Sequence, residues 1–556
     1  MKNKKVWKSV FACCLTASML LTGCGSGAAT TTNDADNTEV TKETDEASID
    51  EVQSNEEQGQ ESDSKYAITL ADLKEDLPAS DYDYYSRDTL EINIMTIIND
   101  PYSADSTLIE EIEKATNTKL NIEWDSPDGY QDLIASKLST GELPDIIGRV
   151  PDMNYIKKQD AAYPIQDLLK EYAPDFVNSL TDATLLEATD TETGAIYSMP
   201  SIREIPDGYT TMIRTDWLEN VGKEVPTNWD EFVDVLRAFK ENDANGDGDP
   251  NNEIPFSGDI THLRYAFGID GRYAFCVEDG VYKPVVYHTN YKAYLEAMHE
   301  LYEEGLLDQE YATRDVWSDL LTLMDSDVLG STIHFAERAK LDTEALRDAG
   351  FDGQFEGIAP IEGPFGDKGI ESQAGGIFNF CISSDVDEER AIELVRFLNF
   401  FYTEEGIRLM NYGVEGVNYD MVDGAPKLKP EFSDILAARK AGLIFQPLNF
   451  VWLSDSYMQM VMGGLSEADM TETQKIYYDA LKVNEGTHVP KCPGLTTEAW
   501  NDMQSDIEPA MKAFETNVIC GNISMDDYDA ELKKLGDMGL DKIAEEAAAA
   551  YAGFSE

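Results

Sequence analysis

Apolar residues recur at regular intervals from Leu90 onward, and their spacing predicts alternating strands and helices. Alternation at every second position favours a strand, and recurrence at every third or fourth position favours a helix. The predicted elements are a strand at Leu90–Ile98, a helix with Leu108, Ile109, Ile112 and Ala115 on one face, a strand at Leu120–Trp124, a helix with Tyr130, Leu133, Ile134 and Leu138 on one face, and a strand at Asp145–Gly148. This βαβαβ order predicts a parallel sheet with right-handed crossovers.

The rest of the chain continues to mix strands and helices. Further predicted elements are a hairpin of Phe275–Val277 with Val281–Val286, helices at Tyr291–Leu307, Glu388–Phe400 and Glu404–Asn411, strands at Gly330–Phe335 and Gly376–Ile382, and a largely helical portion from about Glu431 to Tyr551. A chain of 556 residues can bury more than one large core. We therefore expect an α/β protein of two lobes or domains.

Tyr209–Phe256 carries the clearest local signals in the sequence. Asp216 is predicted to cap one helix, Gly222 to end it, and Thr227 with Asp230 to form a capping box for the next. The second helix has one apolar face, made of Trp229, Phe232, Val233, Leu236 and Phe239. The segment therefore predicts two capped helices that pack on a core.

The loop after these helices is rich in oxygen donors. Its candidate ligands for a structural calcium ion are Asp243, Asn245, Asp247, Asp249, Asn252 and Glu253. Calcium prefers about six to eight oxygens, and Gly248 stands where such a loop turns sharply. Glu253 is one position earlier than in a standard EF-hand loop, and a solvated acidic turn is the alternative interpretation.

The charge balance limits the classes of partner. The chain has 43 basic and 107 acidic residues, a net charge of −64. This balance argues against nucleic acid and against electrostatic binding to anionic lipid, and it favours a neutral ligand over an anionic one. The alternative is that the charge only keeps an exposed protein soluble.

The first residues predict export. Four lysines precede the apolar stretch Val10–Leu21, which is too short to be an ordinary membrane-spanning helix. The following Leu21-Thr22-Gly23-Cys24 resembles a bacterial lipobox, in which the signal peptide, residues 1–23, is removed and Cys24 is lipidated. An ordinary signal peptide with a chance cysteine is the alternative. Residues 24–85 would then begin with this anchor and form an acidic tether to the membrane. The polar composition of residues 25–65 predicts flexibility, and residues 66–88 are expected to form a partly ordered lead-in to the folded body.

The remaining cysteines and the histidines show no catalytic or metal-binding spacing. Cys276, Cys381, Cys492 and Cys520 are widely separated, so we expect either buried thiols or a structural Cys492–Cys520 pair. None of the five histidines belongs to an HExxH pattern, and the sequence contains no GxSxG elbow, P-loop or GxGxxG after a strand. We therefore expect a protein that is not an enzyme, although chance carboxylate pairs leave a glycan-degrading enzyme open.

Several segments resemble those of a known family. IRTDWLENVG with VPTNWDEFVDVLRAFKENDANGDGDPNNEIPF, TGELPDII at 140–147, AIYSMP at 195–200, LYEEGLLD at 301–308 and FLNFFYTEEGIRLMNYGVEG at 397–416 are similar, in order, to the extracellular solute-binding proteins of family 1 that serve oligosaccharide ABC importers. The resemblance implies a two-lobed, type II periplasmic-binding-protein-like fold with hinge-linked lobes and a ligand cleft. It also implies that the Asp243–Glu253 loop is a structural calcium site. By the same comparison, lobe 1 is expected at 86–204 and 378–425, and lobe 2 with the C-terminal helical region at 205–377 and 426–556.

A glycan cleft needs flat aromatic rings for stacking and planar polar groups for hydrogen bonds. Because ligands collect at the carboxyl ends of strands in open α/β sheets, the first-lobe candidates are Asn99, Asp100, Tyr102 and Arg149. Resemblance of IHFAER to a cleft-facing segment adds His334 and Phe335, and the remaining candidates are Trp317, Glu415, Tyr419 and Trp452. The alternatives are core packing for the aromatic residues, an acidic partner for Arg149 and a structural role for His334.

Together these observations predict a lipid-anchored binding protein on the extracellular face of the cytoplasmic membrane. We expect a monomer that captures a neutral oligosaccharide and delivers it to the permease subunits of an ABC transporter. The alternatives are a peptide or amino-sugar receptor on the same fold and a surface enzyme that degrades the glycan it binds.

Overall fold

The computed structural model describes Leu73 and residues 77–555, apart from 99–105, 182–183, 186–187, 191–192, 204–207, 250, 373–374, 433–434, 444–445, 454–455, 457, 461–466, 493 and 496. The chain divides into two compact units, residues 1–62 and 63–556, and the described elements belong to the second. The predicted signal peptide, Cys24 and most of the predicted tether lie outside the described residues. So do the candidate ligand residues Asn99, Asp100 and Tyr102.

The described strands form two main sheets. The strands are β1 (Leu90–Ile97), β2 (Thr118–Asp125), β3 (Ile146–Val150), β4 (Met199–Arg203), β5 (Tyr209–Arg214), β6 (Ile254–Phe256), β7 (Phe275–Glu278), β8 (Val281–Pro284), β9 (Leu329–Phe335), β10 (Phe355–Ile358), β11 (Ile370–Glu371), β12 (Gly375–Ile382), β13 (Tyr419–Val422), β14 (Ala425–Leu428), β15 (Val451–Trp452) and β16 (His488–Val489). The first sheet has the order β15-β4-β12-β3-β1-β2, and the second has the order β10-β5-β9-β6. Short two-stranded sheets join β11 to β16, β13 to β14 and β7 to β8.

Helices cover the faces of both sheets. The α-helices are Leu108–Thr116, Pro127–Thr140, Met153–Lys158, Gln166–Tyr172, Pro174–Ser179, Thr215–Val221, Trp229–Glu241, Tyr291–Glu303, Asp319–Met324, Glu337–Ala349, Glu388–Phe400, Glu404–Tyr412, Ile435–Lys440, Glu472–Lys482, Glu498–Ile519, Tyr528–Leu535 and Asp541–Ser555. None of the helices in the described part of the chain combines the length and the hydrophobicity of a transmembrane segment.

The βαβαβ prediction is confirmed. β1 pairs in parallel with β2, where Leu90 lies opposite Thr118, and in parallel with β3, where Ile94 lies opposite Ile146. The main difference is that β2 begins at Thr118, two residues earlier than predicted, because the preceding helix ends at Asn117 in a left-handed conformation with φ of 47°. The chain can then enter the strand directly.

Each sheet separates two hydrophobic cores, because successive side chains of a strand point to opposite faces. In β1, Ile94 packs in one core with Phe380, while its neighbour Met95 packs in the other with Ile147. In β5, Ile213 and Met212 divide in the same way between two cores of the second sheet. The two sheets with their separate cores form the two lobes.

The chain passes between the two sheets three times: from β4 to β5, from β10 to β12, and after β15. The boundary predicted at 425–426 disagrees with the third passage, because Val451 pairs with Ile202 at the edge of the first sheet. The next helix, Glu472–Lys482, contributes Ile476 to a core of the second sheet. A two-residue edge strand has no readable hydrophobic period, so the sequence did not reveal it.

The predicted tether also ends earlier than residue 85. The hydroxyl of Tyr82 donates to the Glu393 carboxylate at 3.0 Å, and that of Tyr84 donates to the Arg396 carbonyl at 2.7 Å. Leu73 is buried in the first-lobe core. Tyr82 and Tyr84, which the sequence placed in the tether, therefore pack against the helix Glu388–Phe400.

The predicted helix caps in Tyr209–Phe256 are partly wrong. Gly222 ends the first helix as predicted, with φ of 69°. Asp216, however, lies inside that helix, and its carboxylate accepts from Arg214. The second helix is capped by Asn228, whose side chain accepts from the Glu231 backbone N–H. Glu231 in turn accepts from the backbone N–H of Thr227, one residue before the cap, so the predicted capping box of Thr227 and Asp230 is not formed.

The four cysteines in the described part of the chain are free thiols. Cys276 and Cys381 are buried, whereas Cys492 and Cys520 are partly exposed. Of the two alternatives that the sequence left open, the structure has free thiols rather than a Cys492–Cys520 pair. Burial raises the pKa of the Cys276 thiol to about 12, so this thiol stays protonated near neutral pH.

Candidate ligand-binding site

A cavity of about 250 Å³ lies at the carboxyl end of β3, beside β4 and β12. Its walls contain Pro151, Asp152, Met153, Asn154, Lys157, Ala188, Thr189, Tyr197, Ser198, Pro200, Gly376, Phe378, Asn379, Lys491 and Gly494. Most of these residues belong to the first lobe. Lys491 and Gly494 come from the segment that enters the second-lobe core at Leu495. The cavity therefore lies between the lobes, at the sheet edge where strand-end reasoning placed the site.

Local hydrogen bonds fix the polar side chains of this cavity. Asp152 caps the helix Met153–Lys158 by accepting from the backbone N–H groups of Asn154 and Tyr155. Lys157 forms an ion pair with Asp190 at 2.6 Å. The hydroxyl of Ser198 donates to the Asn379 side-chain carbonyl at 2.9 Å. The cavity thus presents an aromatic ring, an amide and charged groups in fixed positions.

Arg149 lies directly behind this wall and is only 4% exposed. Its guanidinium carbon is 3.8 Å from the ring centre of Phe378, which lines the cavity. Its Nε and Nη1 atoms are buried without a hydrogen-bond partner, and no described residue forms an ion pair with it. Burial lowers the pKa of Arg149 to about 10, so the side chain remains charged at neutral pH. The acidic partner that was the alternative for Arg149 is therefore not found among the described residues.

The backbone of Arg149 is also strained, with φ of 50°. A left-handed conformation costs an L-residue about 1–2 kcal/mol. Such strain persists only where the surroundings hold it, and it concentrates at functional sites. Here the strained residue is the last but one of β3 and lies just before the cavity residues Pro151 and Asp152.

The second lobe presents an aromatic cluster made of Trp317, His334, Phe335 and Tyr209. The ring of Trp317, a residue that is 58% exposed, is centred 5.6 Å from that of Phe335. Phe335 stacks on Tyr209 with ring centres 4.4 Å apart. Tyr209 and Phe335 meet because the first residue of β5 pairs with the last residue of β9. The structure therefore brings three of the candidate residues together in one patch.

His334 is held by backbone groups within this patch. Its Nδ1 accepts from the Phe335 N–H at 2.8 Å, and its Nε2 lies 3.2 Å from the Val316 carbonyl. Burial lowers the pKa of His334 to about 4, so the ring is neutral near pH 7. This geometry matches the structural alternative that the sequence left open for His334.

Sequence reasoning missed Tyr209 and the charged residues beneath it. Arg272 lies 4.8 Å from the Tyr209 ring centre and pairs with Asp259 at 2.7 Å and with Glu371 at 2.9 Å. Burial alone would lower the pKa of Arg272, but Asp259 and Glu371 outweigh it and raise the pKa. Tyr209 could have been found from its position at the start of a strand that follows a predicted crossing between lobes.

Glu415, Tyr419 and Trp452 lie at other places in the first lobe. Glu415 is exposed, and Tyr419 lines a separate cavity of about 480 Å³ with Tyr85 and Arg408. Trp452 is buried in the same small core as Tyr419. None of these three candidate residues lines the cavity between the lobes.

The predicted calcium loop is folded into a turn of the kind that binds cations. Asn245 and Asp247 each accept a backbone N–H from the residue two positions later, and Gly248 has φ of 96°. Asp243 Oδ1 and Glu253 Oε2 are both buried without a hydrogen-bond partner. Burial raises the pKa of Glu253. The oxygen donors and these two unpaired carboxylate oxygens fit a hard divalent cation.

The loop does not contain a metal cluster of the usual composition. Among the described residues, no group of three or more His, Cys, Asp or Glu side chains is arranged to hold a metal ion. Asn245 and Asn252 supply part of the predicted donor set, and Asn252 donates to Asp247 at 2.6 Å. This hydrogen bond connects two parts of the loop to each other.

Comparison with known proteins agrees with this architecture. The chain matches the bacterial extracellular solute-binding protein family over residues 98–407. LipO, a lipoprotein of Bacillus subtilis (strain 168), is 28% identical over 360 residues, which are 61% of this chain and 69% of LipO. The fructooligosaccharide ABC transporter substrate-binding protein FusA of Streptococcus pneumoniae serotype 4 is 33% identical over 244 residues, which are 38% of this chain and 43% of FusA. The polygalacturonan/rhamnogalacturonan-binding protein YtcQ of Bacillus subtilis is 27% identical over 350 residues, which are 60% and 67% of the two chains.

Solved structures share the fold. The alginate-binding protein AlgQ2, solved without calcium ion, has a TM-score of 0.66 and 21% identity over 84% of this chain and 98% of its own. An EF-hand mutant of Streptococcus pneumoniae FusA in complex with fructo-nystose has a TM-score of 0.61 and 21% identity over 84% and 99% of the two chains. The likeness confirms the predicted two-lobed, type II α/β fold. The family match spans more than half of the sequence, and the chain therefore belongs to the bacterial extracellular solute-binding proteins.

Proposed function

We propose that this chain is a cell-surface binding protein that captures an oligosaccharide between its lobes and delivers it to an ABC permease. One observation carries the proposal: the cavity of about 250 Å³ at the carboxyl end of β3 has walls from both lobes of a solute-binding fold. The ring of Phe378 and the amide of Asn379 are the kinds of group that hold a sugar face and its hydroxyls. The relatives named for fructooligosaccharide and for polygalacturonan/rhamnogalacturonan support a glycan over a peptide.

Calorimetry with a panel of defined oligosaccharides and peptides tests this function. We expect heat from at least one oligosaccharide, together with a change in tryptophan fluorescence. Chromatography should return the sugar at its original length, because the relatives are binding proteins. Shortened sugar would favour a glycan-degrading enzyme, and heat from peptides alone would favour a peptide receptor.

Calcium bound by the Asp243–Glu253 loop belongs to the same proposal. Asp243, Asp247 and Glu253 would hold the ion, with Asn245 and Asn252 beside them. The bound ion would neutralise carboxylates and hold the two ends of the loop together, where the Ala244 N–H donates to Glu253 at 3.0 Å. We place this ion in a structural role, since none of these residues lines the cavity.

Lipid attachment at Cys24 would keep the protein at the outer face of the membrane. The protein would act there as a monomer. The support is the lipobox-like sequence and the relative named as a lipoprotein. Cys24→Ala is expected to release the protein from the membrane fraction into the medium. Retention of this variant in the membrane fraction would contradict a lipid anchor.

A further inference from the structure

The cavity between the lobes carries positive groups although the whole chain has a net charge of −64. Asp152 is the one carboxylate among the described residues that line it, and it already accepts two backbone N–H groups. Lys157 is neutralised by Asp190, whereas Lys491 forms no ion pair with a described residue. Arg149 adds a second cation without an acidic partner among the described residues, in contact with the Phe378 ring of the wall.

Local charge outweighs the overall charge in a site of this kind. At physiological ionic strength, exposed charges more than about 8 Å apart are largely screened from each other. The many acidic residues of the surface therefore do not decide which ligand the cavity prefers. Groups within the cavity do, because desolvation strengthens their interactions.

Arg149 has the features of a side chain that binds a planar anion. A buried guanidinium without partners is unfavourable, and stacking on Phe378 at 3.8 Å offsets only part of that cost. Its left-handed backbone shows that the surrounding structure holds it in place at a further cost. Arginine binds carboxylates through two parallel N–H groups, and a fixed guanidinium loses little freedom when it does so.

We propose that the oligosaccharide is acidic and that Arg149 binds the carboxylate of a uronic acid unit, with Lys491 closing over it from the second lobe. The inference rests on the proposed function and refines it. It replaces the neutral ligand expected from the overall charge.

Matched glycan pairs test this inference. Oligosaccharide fractions of pectin, alginate and glucuronoxylan would each be used in native form and after carboxyl reduction, which keeps the linkages and removes the charge. A sulfated, carboxyl-free oligosaccharide and a neutral fructooligosaccharide complete the panel. By calorimetry we expect at least one native fraction to bind about 100-fold more tightly than its reduced counterpart, as suits a charge-assisted bidentate contact.

Variants test which residues cause the preference for the native, acidic fractions. Arg149→Gln should abolish the ratio between native and reduced fractions, and Arg149→Lys should restore part of it. Lys491→Gln, at an exposed position, should weaken the native fraction several-fold, whereas the exposed Lys170→Gln on another helix should not. If Arg149→Gln melts at a lower temperature, the native-to-reduced ratio and its salt dependence in the unaltered protein still decide the question.

The possible outcomes distinguish a failure of this inference from a failure of the proposed function on which it rests. Binding of neutral or reduced fractions with no preference for the native form overturns the acidic ligand and leaves oligosaccharide capture standing. Binding of the sulfated probe alone also overturns the carboxylate. Absence of binding to every glycan, with heat from peptides, overturns both proposals.

Discussion

Buried arginines in this protein differ in what surrounds them. Arg214 is almost fully buried and pairs at 2.6 Å with both Asp216 and Asp327. Arg149 is equally hidden but has no described acidic partner. The first arrangement compensates a buried charge within the protein, and in our proposal the second leaves a charge for a ligand. Residue type and burial alone do not distinguish these two roles, whereas the partners do.

Arg214→Met should destabilise the second lobe strongly. The substitution leaves Asp327 partly buried without its cation, and breaking a buried pair in this way typically costs about 3–5 kcal/mol. Arg237→Gln is the matched control, because Arg237 and Glu304 form an exposed pair with side chains 45% and 40% accessible, and such pairs contribute about 0–1 kcal/mol. Urea unfolding at pH 7 measures both. Equal losses in the two variants would contradict the role of burial.

His334 should make stability depend on pH. Burial holds its pKa at about 4 in the folded protein, below the value of about 6.5 for an unperturbed histidine. Between these values the unfolded chain binds more protons, so stability is fully present above pH 6.5 and is lost as pH falls toward 4, by about 3 kcal/mol for this group. Urea unfolding from pH 4 to pH 7 should show a shallower slope for His334→Gln. Parallel slopes would exclude His334 as the source.

At the level of elements, the strands and helices position the binding site, and the loops contribute side chains to it. The predicted βαβαβ unit is confirmed because its apolar spacing is regular over long segments such as Leu90–Ile97. The cap at Asn228 was displaced by one residue because Thr227 and Asn228 are both good capping types, and only backbone geometry chooses between them. The strand β15 was not predicted, because it has only two residues and they pair with β4, which is far away in the sequence.

The Asp243–Glu253 loop should make the melting temperature depend on calcium. A single site filled at 100 times its Kd stabilises the folded state by about 2.7 kcal/mol. We expect chelation to lower the Tm of the unaltered protein and to have no effect on Asp247→Ala or Glu253→Gln. Asp279→Asn, in the exposed β7–β8 turn, should keep the calcium response. Identical melting with and without chelator in the unaltered protein would return the loop to an ordinary acidic turn.

At the scale of the whole molecule, the two lobes contact each other across the cleft. The ammonium group of Lys158, at the end of a first-lobe helix, donates to the Asn501 carbonyl in the helix Glu498–Ile519. The three chain passages between the sheets are the places where a hinge would act. Ligand can shift the lobes only through contacts that differ between open and closed forms.

Saturating oligosaccharide should therefore make the molecule more compact. X-ray scattering in solution is expected to give a smaller radius of gyration with ligand than without it, because hinge closure brings the lobes together. Lys158→Gln should give a larger radius in the absence of ligand, since it removes a contact across the cleft. An unchanged radius at saturation would mean that ligand enters a cleft that is already closed.

The α/β class, the parallel βαβαβ unit, the helix end at Gly222 and the family were all predictable from the amino-acid order, because the hydrophobic period, the turn residues and the local motifs lie along the chain. It also indicated Arg149, because a residue at the end of a predicted parallel strand lies at the sheet edge where ligands bind. The folded structure was needed to show that Arg149 stacks on Phe378 with no acidic partner among the described residues, that Tyr209 meets Phe335, and that Trp452 is buried away from the cavity. These facts depend on contacts between residues far apart in the chain, and the spacing of neighbours does not encode them.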